Sequence, residues 1–67
     1  MVKCGDRIKI MSDNENYDRY RDDVWTVDHI AYSEKEHPGY DSSMRPMALV
    51  DCIGLPFSLY EYEFGIV

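Results

Sequence analysis

Apolar residues arrive in short runs in this chain, and two long polar stretches, Ser12 to Asp23 and Ser33 to Pro46, hold those runs apart. Strand-sized runs divided by such loops are the arrangement of a small all-β domain. The first run follows the turn residues Gly5 and Asp6. In Arg7, Ile8, Lys9, Ile10 and Met11, two isoleucines alternate with charged neighbours, as a half-buried strand requires. Val24 to Tyr32 is the clearest strand, rich in β-branched and aromatic residues. Strict alternation cannot bury Trp25, Val27 and Ile30 together, so a bulge or strong twist is expected near Asp28 and His29, bending the strand as a small barrel needs. Met47 to Cys52 reads as a third strand, with a turn at Ile53 and Gly54.

The chain closes on an apolar and aromatic run, Gly54 to Val67, punctuated by Gly54 and Pro56. Such an ending is expected to dock into the fold, making residues 1–67 one small domain. Within it, Leu59 to Glu63 reads as a single tight helical turn and Phe64 to Val67 as a last short strand. The Ser12 to Asp23 loop holds no branched aliphatic residue and only Tyr17 and Tyr20 to pack; a helical turn is expected around Tyr17 to Arg21. In the second loop, Pro38-Gly39 signals a tight turn. The expected core is Ile8, Ile10, Val27, Ile30, Leu49, Val50, Phe57 and Leu59, with Trp25 beside them. A domain this small buries only ~60% of its unfolded surface, which leaves a stability of ~3 to 5 kcal/mol.

The segments Gly5-Asp6-Arg7-Ile8-Lys9-Ile10, Trp25-Thr26-Val27, His37-Pro38-Gly39-Tyr40-Asp41 and Gly54-Leu55-Pro56-Phe57-Ser58-Leu59-Tyr60-Glu61-Tyr62-Glu63 resemble short, uncharacterised SH3-like barrel proteins common in bacteriophages, prophages and Firmicutes mobile elements. That resemblance implies a small, partly open SH3-like barrel of about five short strands. It carries no agreed activity. A second likeness, to peptide-binding SH3 domains, rests on Asp22, Asp23, Trp25 and the run Pro56 to Tyr60. The aromatic-rich first strand of those domains is missing here.

Thirteen acidic residues against seven basic ones give a net charge of −6, and the basic residues are scattered along the chain. Duplex binding draws its affinity from clustered lysines and arginines that release counterions, so no direct nucleic-acid binding is expected. No apolar run approaches the ~20 residues of a membrane-spanning helix. Met1 to Asp6 contains no apolar export segment, which points to the cytoplasm and to reduced thiols at Cys4 and Cys52. His29, His37, Cys4 and Cys52 do not fall at metal-ligand or nucleophile spacing, so no metal, cofactor or catalytic role is expected. The expected function is protein interaction, through Tyr17, Tyr20, Asp22, Asp23, His37, Tyr40 and Asp41 on the two loops. The competing expectation for the three tyrosines is that they fold back as lids over a thin core. An alternative role is an acidic mimic or inhibitor of a nucleic-acid-binding protein.

Overall fold

The computed structural model describes residues 1–67. Five strands form one open antiparallel sheet in the order β4-β3-β2-β1-β5, with β1 at Arg7–Ile10, β2 at Trp25–Ala31, β3 at Leu49–Cys52, β4 at Leu59–Tyr60 and β5 at Phe64–Ile66. There is no α-helix; the remaining regular elements are 3-10 turns at Glu15–Tyr17, Ser42–Met44 and Glu61–Glu63. The domain is thus all-β, and no helix is long and apolar enough to cross a membrane.

The expected irregularity in β2 falls at Asp28. Val27 lies opposite Cys52 and His29 opposite Asp51, so Asp28 is the extra residue. One inserted residue reverses which side chains face inward. Trp25 and Val27 before the bulge therefore share the inner face with Ile30 after it, while Ala31 turns outward to oppose Leu49. The sheet is consequently covered on both sides. Val2, Ile8, Ile10, Val27, Ala48, Val50, Cys52, Leu55 and Leu59 make the inner core, and Ala31, Leu49 and Tyr40 make a smaller cluster outside it.

Several expectations are corrected by this packing. Ile30 and Phe57 are only half-buried, because they lie at the margin of the inner core. Trp25 is also half-buried there, with its indole N–H donated to Tyr20 O at 3.0 Å. β3 starts at Leu49 rather than Met47, since Met47 O is taken by the Tyr40 hydroxyl and not by a strand. Leu59 and Tyr60 are extended, pairing with Val50 and Leu49, so the C-terminal helical turn is confined to Glu61–Glu63. The first helical turn comes earlier than Tyr17 to Arg21, because the Asn14 side chain accepts the Asn16 N–H and starts it at Glu15. The expected turn at Ile53-Gly54 is present, with Gly54 at φ +81°, a left-handed conformation that glycine adopts without strain.

Candidate functional site

Both long loops are tied to the sheet by aromatic side chains. In the first loop, Tyr17 stacks on Phe57 with ring centroids 4.6 Å apart, and Tyr20 meets Phe57 edge-on at 5.1 Å and Trp25 at 5.9 Å. Arg21 cinches the loop from within: its side chain donates to Ser12 O at 2.9 Å and Asn14 O at 2.7 Å and pairs with Asp18. The Tyr17 hydroxyl donates to Glu63 Oε2 at 2.8 Å, and Glu63 Oε1 accepts the Tyr60 N–H at 2.9 Å. Glu63, a carboxylate only 8% exposed, thereby joins the first loop to the C-terminal turn. Burial, then the Glu63 hydrogen bond and charge, and then neighbouring Tyr62 push the Tyr17 phenol up to about 12.

The aromatic series continues beyond Glu63. Tyr62 lies parallel to Tyr60, with centroids 6.4 Å apart, and Tyr60 meets Tyr40 edge-on at 5.6 Å. Tyr40 is only 5% exposed. Its ring covers Ala31 and Leu49 on the outer sheet face, its hydroxyl donates to Met47 O at 2.5 Å, and burial raises its phenol pKa. Glu63 thus joins two aromatic groups into one band, with Trp25, Tyr20, Phe57 and Tyr17 on one side and Tyr62, Tyr60 and Tyr40 on the other. Tyr62, at 64% exposure, is the ring in that band most open to solvent.

His37 pins the second loop to the same outer face. Its Nδ1 accepts the Gly39 N–H at 2.9 Å, so the ring proton resides on Nε2, which faces Ser58 Oγ at 3.1 Å and Asp51 Oδ2 at 3.3 Å. The Ser58 hydroxyl donates to Asp51 Oδ1. A Ser-His-Asp hydrolytic site needs an imidazole lone pair aimed at the hydroxyl. Here that lone pair is spent on Gly39, and the three side chains form a clasp rather than an activated nucleophile. Gly39 must be small to permit it, since a Cβ there would lie 3.0 Å from the His37 ring. His29 sits beside the clasp, its ring 6.4 Å from that of His37 and its Nε2 3.1 Å from Glu36 O.

Of the seven residues singled out on the loops, Asp22, Asp23 and Asp41 are exposed, Tyr17, Tyr20 and His37 are half-buried, and Tyr40 is buried. The structure brings Tyr40 and Asp41 against Tyr60, whose hydroxyl accepts the Asp41 N–H at 2.8 Å. Asp41 also caps the 3-10 turn at Ser42–Met44; hydrogen bonds from the Ser43 N–H and hydroxyl hold its carboxyl below the usual aspartate range. Asp22 and Asp23 stand apart from that cluster and make no side-chain hydrogen bond or ion pair. Tyr62 lies outside the residues expected from the sequence; its signal there is the Tyr60-Glu61-Tyr62 spacing within a tight turn.

The two thiols flank β2 from opposite sides. Gly5 N–H donates to Val27 O at 2.7 Å and Cys4 Sγ lies 3.6 Å from Asp28 O, whereas Cys52 pairs with Val27 across the other edge. Two strand spacings amount to ~9.6 Å, beyond the ~7 Å limit for bridging without backbone movement. Burial, with the Asp51 and Asp28 charges, pushes the Cys52 thiol up to about 11, which disfavours a reactive thiolate. No three His, Cys, Asp or Glu side chains converge on a metal-sized site, and the surface holds no pocket. No protein-family model, curated protein or solved structure matches this chain.

Proposed function

We propose that this chain is a small protein-interaction module that meets its partner through the Tyr60 and Tyr62 face and the neighbouring loop carboxylates. The observation that carries this reading is the exposure of Tyr62 on a turn held from both sides: Glu63 anchors it to Tyr17, and Glu61 accepts the Ala48 N–H at 2.5 Å. A rigidly presented tyrosine offers amphipathic contact area at low entropic cost. Exposed Asp41 and Glu61 lie next to it in the chain or against Tyr60, giving the face a polar, acidic rim. Tyr40 supports this face by packing edge-on against Tyr60, and Tyr17 supports it by holding Glu63, the residue after Tyr62. A non-enzymatic role accords with the hydrogen-bond directions in the His37, Ser58 and Asp51 clasp, and a cytoplasmic setting with two thiols held apart. An SH3-like barrel is supported by the order β4-β3-β2-β1-β5, the bulged β2 and the 3-10 turn between β4 and β5.

The test is cross-linked capture in the native host with wild-type protein and Tyr62→Ser. Loss of one specific partner in the variant, with an unchanged melting curve, is the expected result. Capture that survives Tyr62→Ser but collapses between about 0.05 and 0.5 M salt would replace this reading with acidic mimicry of a nucleic acid.

A further inference from the structure

The β1-β5 end of the sheet presents cations instead of carboxylates. Ile8 and Ile10 point into the core, so by strand alternation Arg7 and Lys9 point out of β1. In a chain of net charge −6 such cations would ordinarily meet carboxylates across the sheet. These do not. Arg7 lies opposite Thr26 on one side and its carbonyl accepts the Val67 N–H on the other; Lys9 lies opposite Gly65. Neither takes part in an ion pair, the three pairs in the molecule being Arg21 with Asp18, His37 with Asp51 and Arg45 with Glu34. Met11 and Val67, each 70% exposed, add apolar surface to the same face, and Met11 Cγ packs over Gly65.

β5 is also an edge of the sheet. The bonds from Val67 N–H to Arg7 O and from Met11 N–H to Glu63 O, both 2.8 Å, turn the odd-numbered residues of the terminal segment toward β1. Alternation then directs the N–H and C=O of Ile66 away from the sheet, where an added strand would pair with them. The Ile66 side chain is 55% exposed at that edge.

We propose that the β1-β5 edge is a second docking surface, which takes an extended protein segment alternating acidic and apolar residues as an added strand. The backbone of Ile66 supplies the pairing, Arg7 and Lys9 select the acidic positions on the outer face, and Ile66 meets the apolar positions. This surface adjoins Tyr62, which precedes β5 by two residues, but its pairing and charge come from Ile66, Arg7 and Lys9 and do not depend on that ring.

The probe is a capped peptide of about seven residues alternating glutamate and valine, added to isotope-labelled protein and followed by amide spectra and hydrogen exchange. Saturable shifts on β1 and β5, slowed exchange at the Ile66 amide and about fivefold or greater weakening in the Arg7→Ala/Lys9→Ala double variant are expected. Both substituted positions are exposed, so the melting curve of that variant should match wild type, and binding by wild type should also weaken as salt rises. Three results would overturn the proposal: no saturable shift at millimolar peptide, equal binding of a lysine-valine peptide, or Ile66 protection without peptide in a sample that sediments as a dimer. Tyr62→Ser should leave this binding unchanged.

Discussion

Glu63 is a buried carboxylate, although in the run Tyr60-Glu61-Tyr62-Glu63 it reads as one more solvent-facing acid. Its two oxygens accept from Tyr17 and Tyr60, so the carboxylate is spent on joining segments 46 positions apart in sequence. A hydrogen bond of this kind contributes about 0.5 to 1.5 kcal/mol net, and Tyr17→Phe should cost that much near neutral pH. The phenol of Tyr17 is raised from 10.0 to about 12 in the folded chain. The stabilisation that accompanies this shift is fully present below pH 10 and is lost as pH rises through 12, because the unfolded chain ionises first. Denaturant titrations across that window should show wild-type stability falling more steeply than that of Tyr17→Phe. Parallel slopes for the two proteins would place the Tyr17 hydroxyl in solvent. Tyr40, also raised by burial, contributes a slope of the same sign in both proteins.

At the scale of the elements, what could be read from the chain was whatever depends on neighbours in sequence. Alternation in Arg7 to Ile10 and β-branching in β2 located two strands, and the mismatch among Trp25, Val27 and Ile30 located the bulge that the register shift at Asp28 now shows. What could not be read was which loop residue lands on which sheet face. Tyr40 sits among Gly, Asp and Ser, and nothing local indicates that the bulge turns Ala31 and Leu49 outward to make a second apolar floor beneath it. The burial of Val2, Ala48 and Leu55 and the half-exposure of Phe57 have the same origin in long-range pairing. Because Asp28 is the extra residue, deleting it should leave a regular ladder in which Val27 still opposes Cys52, His29 still opposes Asp51 and Ile30 still faces inward, and the chain should keep dispersed amide resonances. A collapsed spectrum for the deletion variant would show that the bend introduced at the bulge, and not only the facing of the side chains, holds β2 in place. Val27→Ala keeps the register and should cost about 2 to 3 kcal/mol through the cavity left at a fully buried site.

For the molecule as a whole, the loops are part of the fold: the first lays Tyr17 and Tyr20 against the inner core, the second lays Tyr40 over the outer face, and Tyr62 remains as the open ring of the band. A domain with so thin a core gains much of its margin from such rings, which is why loop aromatics that resemble a contact surface in the sequence are largely committed to structure. The division of labour among the tyrosines is the central claim, and thermal unfolding of three single variants, Tyr17→Ser, Tyr40→Ser and Tyr62→Ser, tests it most directly. With about 4 to 8 °C of melting temperature per kcal/mol in a domain of this size, Tyr17→Ser and Tyr40→Ser should each melt at least about 8 °C below wild type. Tyr62→Ser should melt within about 2 °C of it. Wild-type melting by the Tyr17 and Tyr40 variants, or a loss in Tyr62→Ser as large as theirs, would contradict the account.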